Sequence, residues 1–281
     1  MMMHTSSVIP SEIVREFQLS DPHFAAETAI ANVWRVTYLG APAALKIYHD
    51  HTLSGEGPGF ELLRALDGCG VVRVLAQKGV AVLMDWLDGP SLGDLARADQ
   101  DEQANLHLVD VACAIHDFKG SIDGLTPLDD WCADLFSIRF TPECSTKLRH
   151  DMQRAQNIAR GLFESTEQIG PLHGDLHHDN IKLGPDGWRA FDAKGLIGDK
   201  TFELANAFRN PIGTDAAQRD PRRFHACADL WVERFDVDRT RLMRWAAAKV
   251  ALSIVWRAGP ILVDDKESDL LAMMLAQLPE T

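Results

Sequence analysis

The sequence predicts an α+β chain in two lobes: a small N-terminal lobe with an antiparallel sheet, residues 1–87, and a larger, mostly helical C-terminal lobe, residues 88–281. Three observations predict it. Apolar residues alternate with a period of two between Phe24 and Trp86, and the period lengthens to 3.6 after Asp94. A turn signal, Gly184-Pro185-Asp186-Gly187, stands between the short apolar runs Ile181 to Leu183 and Trp188 to Phe191 and marks a hairpin between the strands and the last helices. The chain has 281 residues, 46% of them apolar, which is enough to bury a sizeable core.

In chain order, the first strands are expected at Phe24 to Thr28, at Asn32 to Leu39, and at Ala43 to Tyr48 after the Gly40-Ala41-Pro42 turn. The middle strand puts Trp34, Val36 and Tyr38 on its more apolar face, the one expected to be buried, and Val33, Arg35, Thr37 and Leu39 on the other. Lys46 lies inside the third strand among apolar neighbours, where a lysine either guards a sheet edge or does chemistry. A helix from Gly59 to Leu66 follows, opened by Pro58 and closed by Asp67-Gly68. Glu61 on that helix, fifteen positions after Lys46, is its expected partner, and Glu56 is the rival. Strands Val71 to Leu75 and Val80 to Trp86 complete a five-stranded sheet, and Gly89-Pro90 ends it.

Beyond Asp94, Leu108, Val111, Ala112, Ile115 and Phe118 make one helical core stripe. Leu148, Met152, Ala155, Ala159, Leu162 and Phe163 make another, on a helix entered by Thr141 with Pro142 at its first position. Between them, Asp130 and Asp134 are four apart on one expected helix face with Trp131 alongside. Paired acids beside an aromatic suit a cationic sugar, although a solvated face is the commoner cause of such spacing. Asp199 is the expected N-cap of a helix from Thr201 to Arg209. Helices Asp220 to Phe235, Asp238 to Ala258 and Lys266 to Leu278 finish the chain, with Glu233 and Asp236 as candidates for a substrate wall.

Lys and Arg number 28 against 41 Asp and Glu, a formal net charge of −13. That balance argues against nucleic acid or an anionic membrane as partner, and it would steer a small cationic ligand inward, though acidity also serves solubility. The five cysteines are scattered, odd in number and free of any Cys-x-x-Cys, so they read as reduced residues of a cytoplasmic protein. The opening residues show no basic start followed by an apolar run, so no secretory signal is expected. No stretch approaches the roughly 18 consecutive apolar residues of a membrane span.

The chemistry concentrates between Pro171 and Asp192. If Leu183 pairs with Trp188, the register sets Asn180 opposite Phe191 with Asp192 just beyond, and cross-strand neighbours sit within roughly 5–8 Å. An amide oxygen and a carboxylate then meet at the open end of the hairpin, a hard-oxygen site suited to Mg²⁺. Asp175, five positions before Asn180, faces whatever that metal holds. The other reading of this His/Asp-rich stretch, with His173, His177, His178 and Asp179, is a transition-metal hydrolase cluster, since imidazole favours such metals.

His173, Asp175, Asn180 and Asp192 fill the kinase pattern His-x-Asp-x-x-x-x-Asn followed by Asp. The wording His-Gly-Asp-Leu-His-His-Asp-Asn, then Phe-Asp-Ala-Lys-Gly-Leu-Ile-Gly-Asp and Phe-Glu-Leu-Ala-Asn-Ala-Phe-Arg-Asn-Pro, resembles the aminoglycoside phosphotransferases, in particular their streptomycin kinase and hydroxyurea phosphotransferase branch. The resemblance implies a protein-kinase-like two-lobed fold and transfer of the γ-phosphate of ATP, with Mg²⁺, to a hydroxyl of a small polar molecule, an aminoglycoside such as streptomycin. It implies Lys46 on the phosphates with Glu61 as its partner, Asn180 and Asp192 on Mg²⁺, Asp175 as catalytic base, and His173 in support of the loop. It also places the adenine against the backbone of Met84 to Leu87, so Met84 and Trp86 are named by position, and it implies that Asp199 braces the catalytic loop. One departure stands out: the first turn, Glu27 to Asn32, has no glycine to cover phosphates, leaving small residues and the Thr28 hydroxyl. The alternatives are a housekeeping kinase of another small alcohol, which would use the same residues, and a nucleotide-binding regulator without turnover, which would usually have lost one of them.

Overall fold

The computed structural model describes residues 8–166 and 168–279. The first seven residues, on which the expectation of no secretory signal partly rests, lie outside the described residues. After a short helix α1 (Ser11–Glu16) the chain forms strands β1 (Ser20–Glu27), β2 (Ala31–Tyr38) and β3 (Ala41–Tyr48), then helix α2 (Gly57–Leu66) and strands β4 (Val74–Lys78) and β5 (Ala81–Asp85). The five strands make one antiparallel sheet in the order β1-β2-β3-β5-β4. In β2 the expected face is the buried one, with Trp34 and Val36 at 3% and 0% exposure. These two pack with Ile13 of α1 and Phe17 just after it, so the short helix and its end cover the apolar side of the sheet.

Two strands start well away from the expected residue, and the first begins at Ser20 rather than Phe24. The fourth begins at Val74 rather than Val71, because Val71 and Val72 are spent on a different partner: Val72 N–H donates to Ala190 O at 2.9 Å, and Ala190 N–H to Gly70 O at 2.8 Å. Residues 70–72 therefore stitch the first sheet to the hairpin of the second half.

That second half contains α3 (Leu92–Arg97), α4 (Asp101–His116), β6 (Thr126–Pro127), α5 (Leu128–Trp131), α6 (Asp134–Ser137), β7 (Arg139–Phe140) and α7 (Thr146–Glu164). It continues with β8 (Ile169–Leu172), β9 (Ile181–Gly184), β10 (Gly187–Ala190), β11 (Leu196–Asp199), a 3-10 helix over Lys200–Arg209, α8 (Asp215–Gln218), α9 (Pro221–Phe235), α10 (Arg239–Ala258), β12 (Ile261–Leu262) and α11 (Ser268–Ala276). The two core stripes are as expected on α4 and α7, with Phe118 and Phe163 half-buried at their ends. Helix α7 starts at Thr146, not at Thr141, because the Ser145 hydroxyl caps it by accepting from Leu148 N–H at 3.1 Å. Thr141 belongs instead to the strand pair β7 and β12, where its N–H donates to Leu262 O at 3.1 Å. Helix α10 is apolar nearly all round and lies in the middle of the helical body, with Trp245, Ala246, Val250 and Ile254 at 1% exposure or less. The five cysteines are free. Among the described residues, no helix is long and apolar enough to cross a membrane.

Candidate active site

Strands β9 and β10 pair as expected, Leu183 opposite Trp188 and Ile181 opposite Ala190, and Phe191 N–H donates to Asn180 O at 3.0 Å. The chain then turns at Asp192, whose φ of +58° lies in the left-handed region that an aspartate tolerates better than most residues. The turn aims its carboxylate across to the first sheet, where Lys46 Nζ stands 3.1 Å from Asp192 Oδ1.

Lys46 comes from β3 with its side chain on the face away from solvent, 6% exposed. Its second partner is Glu56 Oε2 at 2.7 Å, and the Tyr48 hydroxyl donates to the same oxygen. Burial alone would lower the Lys46 pKa, but the carboxylates of Asp192 and Glu56 outweigh it, so the ammonium is held above its ordinary value. Burial would likewise raise Glu56, and Lys46 and Tyr48 reverse the sign. Lys194 Nζ, 3.4 Å from Glu56 Oε1, completes a cluster of two cations and two carboxylates.

Asp175 sits opposite, on the loop between β8 and β9. Asn206 Nδ2 donates to its Oδ1 at 2.8 Å and Asn180 Nδ2 to its Oδ2 at 3.3 Å, while Asn180 also donates to Asp175 O at 3.0 Å. The amide nitrogen of Asn180 is thus occupied and its oxygen is left over. His177 Nε2 is 4.0 Å from Asp175 Oδ2. The loop itself hangs on Glu203 of the 3-10 helix, which accepts from His173 N–H at 2.8 Å and Gly174 N–H at 3.1 Å and meets His116 Nε2 at 3.0 Å. Burial would raise the Glu203 carboxyl, yet the hydrogen bond and charge of His116 bring it below its usual range. His173 is wholly buried, which depresses its pKa and keeps it neutral, and its Nε2 contacts Phe191 O at 3.0 Å. It ties the start of the loop to the residue before Asp192.

The histidines of the stretch do not converge. His173 turns to Phe191 and His178 to Asn105 Oδ1 at 3.2 Å, and among the described residues no group of three or more His, Cys, Asp or Glu side chains is placed to hold a metal ion. The donors that the hairpin supplies are oxygen only, the Asn180 amide oxygen, left over by its amide nitrogen, and the Asp192 carboxylate, a chemistry that fits Mg²⁺.

A family model described as "Aminoglycoside/hydroxyurea antibiotic resistance kinase" matches residues 17–259. The chain belongs to that family. It is 35% identical to the streptomycin 3''-kinase of Klebsiella pneumoniae over 78% of this chain and 80% of that one. It is 30% identical to the hydroxyurea phosphotransferase of Kitasatospora aureofaciens over 85% of this chain and 69% of that one. Among solved structures it resembles a choline/ethanolamine kinase family protein from Mesorhizobium loti, with a TM-score of 0.64 at 12% identity over 96% and 90% of the two chains. It also resembles a thermostable mutant of an aminoglycoside phosphotransferase in ternary complex with ADP and hygromycin B, with a TM-score of 0.60 at 13% identity over 95% and 96%. The fold of this family member is therefore protein-kinase-like, and the chain is a phosphotransferase.

Several expected positions are corrected in this kinase. Glu61 is not the partner of Lys46: it is exposed and pairs with Arg64 at 2.7 Å, whereas Glu56, one residue before α2, makes the ion pair. Asp199 caps the 3-10 helix at Thr201 N–H as expected, but its other oxygen goes to Arg241 and Trp245 of α10, and the loop is braced by Glu203. Asp130 and Asp134 do not share a helix face, because the chain breaks between α5 and α6; both are exposed. Glu233 and Asp236 are exposed at the end of α9, beside Phe235, whose ring meets His116 and Lys200, and no hydrogen bond or ion pair joins them to the cluster around Asp175. The Thr28 hydroxyl is consumed inside its own turn, accepting from Ala31 N–H at 3.0 Å and donating to Ala31 O at 2.9 Å. Met84 lies on β5 in the core, 8% exposed, and Trp86 follows the strand with the Arg35 guanidinium 5.9 Å from its ring. Glu203 and Asn206 were both within the quoted Phe-Glu-Leu-Ala-Asn block, so a signal existed, but spacing alone gave neither a role.

Proposed function

We propose that the chain transfers the γ-phosphoryl group of ATP to a hydroxyl of a small, cationic, polyhydroxylated molecule, with an aminoglycoside such as streptomycin as the first acceptor to test. The observation that carries this reading is the division of labour around the hairpin. A buried Lys46, flanked by Glu56 and Asp192, stands on one side, and an aspartate held by two amides, Asp175, stands on the other. The streptomycin 3''-kinase to which the chain is related supports the choice of streptomycin as the first acceptor, and the hydroxyurea phosphotransferase supports hydroxyurea, a neutral molecule, as a second one to test. The ADP complex of a structural neighbour supports the nucleotide. We assign residues 1–87 to the nucleotide-binding lobe, with the backbone of Met84 to Leu87 against the base, and residues 88–281 to catalysis and acceptor binding.

In this reading Lys46 holds the α- and β-phosphates, and the pair with Glu56 fixes its direction. Asn180 and Asp192 would hold Mg²⁺, which would supply positive charge to offset that of the phosphates. The two amide donors on Asp175 orient its carboxylate toward the acceptor. The acceptor oxygen then bonds to the γ-phosphorus, the bond from that phosphorus to the β–γ bridging oxygen breaks, ADP leaves with that electron pair, and the acceptor proton passes to Asp175. Positioning and charge compensation suffice for such a transfer. The test is to incubate the purified protein with Mg·ATP and a panel of streptomycin, hygromycin B, spectinomycin, choline and hydroxyurea, and to follow ADP release and the mass of each acceptor. A mass gain of one phosphoryl group on streptomycin is expected. ADP-free incubations with every acceptor would overturn the reading.

A further inference from the structure

Helices α7 and α10 pack against each other and leave beside their contact a cavity of about 1040 Å³, the size of a small-molecule site. None of the residues placed around Lys46 and Asp175 lines it. Arg154 and Gly161, about two turns apart on one face of α7, form one wall, and Arg241 and Arg244 of α10 form the other.

The charges in this cavity do not cancel. Arg241 is fully engaged: its Nε donates to Asp199 Oδ2 at 2.6 Å, Nη1 to Ser165 Oγ at 2.9 Å and Nη2 to Leu162 O at 2.6 Å. The other lining carboxylate, Asp238, caps α10 by accepting from Arg241 N–H at 2.7 Å. Arg154 and Arg244 are half-buried, and neither has a hydrogen bond or an ion pair among the described residues. A guanidinium partly taken from water without a counter-charge is unfavourable. In a chain with 41 acidic residues against 28 basic ones, no shortage of carboxylates accounts for two such groups in one cavity.

A second feature points the same way. Gly161 lies inside α7, where glycine is less favourable than any residue but proline. A methyl group added there would meet nothing within 4 Å, so no close packing calls for the glycine, and its effect is to leave the cavity open.

We propose that this cavity is a second ligand site, separate from the nucleotide cleft, that takes a phosphate- or diphosphate-bearing small molecule between Arg154 and Arg244. A carboxylate presents two coplanar oxygens to one guanidinium fork. A phosphate group presents three or more oxygens in different directions and can accept from both walls at once. The exposed amides of Gln153 and Gln168, which also line the cavity, supply uncharged donors to the rest of the molecule. The site makes no use of the transfer reaction and stands apart from the proposed function.

The test is calorimetric titration of the full chain with inorganic pyrophosphate in the absence of Mg²⁺. It is run on the unmodified protein and on Lys46→Ala, so that binding at the nucleotide cleft is separated from binding here. One equivalent is expected to remain in Lys46→Ala. On that background Arg154→Gln and Arg244→Gln should each weaken binding by about tenfold, and the double variant should lose it. Gly161→Glu keeps both arginines, introduces a better helix former and sets a carboxylate in the cavity. It should melt no lower than its parent and bind no pyrophosphate, whereas Gly161→Ala should bind as the parent does. Citrate, a polycarboxylate, should bind at least about tenfold more weakly than pyrophosphate. Binding that is absent from Lys46→Ala, or that survives both the double arginine variant and Gly161→Glu, overturns the proposal. Citrate bound as tightly as pyrophosphate overturns the choice of phosphate. Absence of transfer to every acceptor would overturn the proposed function and leave this titration unaffected.

Discussion

Glu56 Oε2 lies 2.7 Å from Lys46 Nζ, and Glu56 is the N-cap residue of α2 and not a residue within the helix. The placement explains how the pair is held. A carboxylate just before a helix faces its positive end, and the start of α2 is locked against the Asp192 segment. A methyl group at Gly59 would stand 1.9 Å from Ala193 O, and one at Gly195, where φ is +67°, would stand 2.1 Å from Pro58 O. Backbone therefore touches backbone between α2 and the residues that follow Asp192, and Lys46 pairs with a carboxylate on each side of that contact, Glu56 and Asp192.

The first prediction separates the two glutamates. Glu56→Ala should leave Lys46 and the Tyr48 hydroxyl without their acceptor and lower kcat/KM for ATP by about 10²-fold, a loss near 3 kcal/mol at about 1.4 kcal/mol per decade. Glu61→Ala removes only an exposed i,i+3 pair with Arg64 and should change stability by no more than about 0.5 kcal/mol. Steady-state kinetics of both variants check this. Equal effects would return the pair to Glu61.

Asp175→Asn keeps shape and removes the proton acceptor. Transfer is expected to drop by about 10²–10⁴, with nucleotide affinity retained. Calorimetry with Mg·ATP beside single-turnover transfer measures the two separately, and a variant with near-normal transfer would remove Asp175 from the role of base.

Gly59→Ala tests the contact between backbones. The added methyl cannot be accommodated without shifting α2 from Ala193, at a cost of about 1–3 kcal/mol. Because Glu56 moves with the helix, the affinity for ATP should weaken along with stability. Denaturant unfolding and nucleotide titration on the same preparation provide the check, and a loss of stability with unchanged affinity would uncouple α2 from the site.

The buried histidines set the acid side of stability. His173, His177 and His178 are all depressed by burial, His178 well below its ordinary value. The unfolded chain takes up these protons near pH 6.5 while the folded chain does not. Their contribution is therefore fully present above about pH 6.5 and is lost as the pH falls through the folded values. The depressed Glu203 carboxyl acts in the same direction at lower pH. Melting temperature should fall steadily from pH 7 to pH 5, and His178→Asn, which keeps a polar group for Asn105, should flatten the slope. A melting temperature independent of pH over that interval would contradict the assignment.

Legible in the sequence alone were the five-stranded sheet, the two long core helices α4 and α7, the register of the hairpin and the four residues of its motif. Those features are local: the period of the apolar pattern and the chemistry of a four-residue turn decide them within a few residues, and Leu183 faces Trp188 because Gly184-Pro185-Asp186-Gly187 leaves little other choice. The resemblance of Pro171 to Pro211 to a kinase family rested on the same short-range wording. The choice between Glu56 and Glu61 was decided by the approach of α2 to Ala193, which no spacing along the chain records. The identity of the loop brace fell to Glu203 rather than Asp199 because Arg241 and Trp245, more than forty positions later, claim the Asp199 carboxylate.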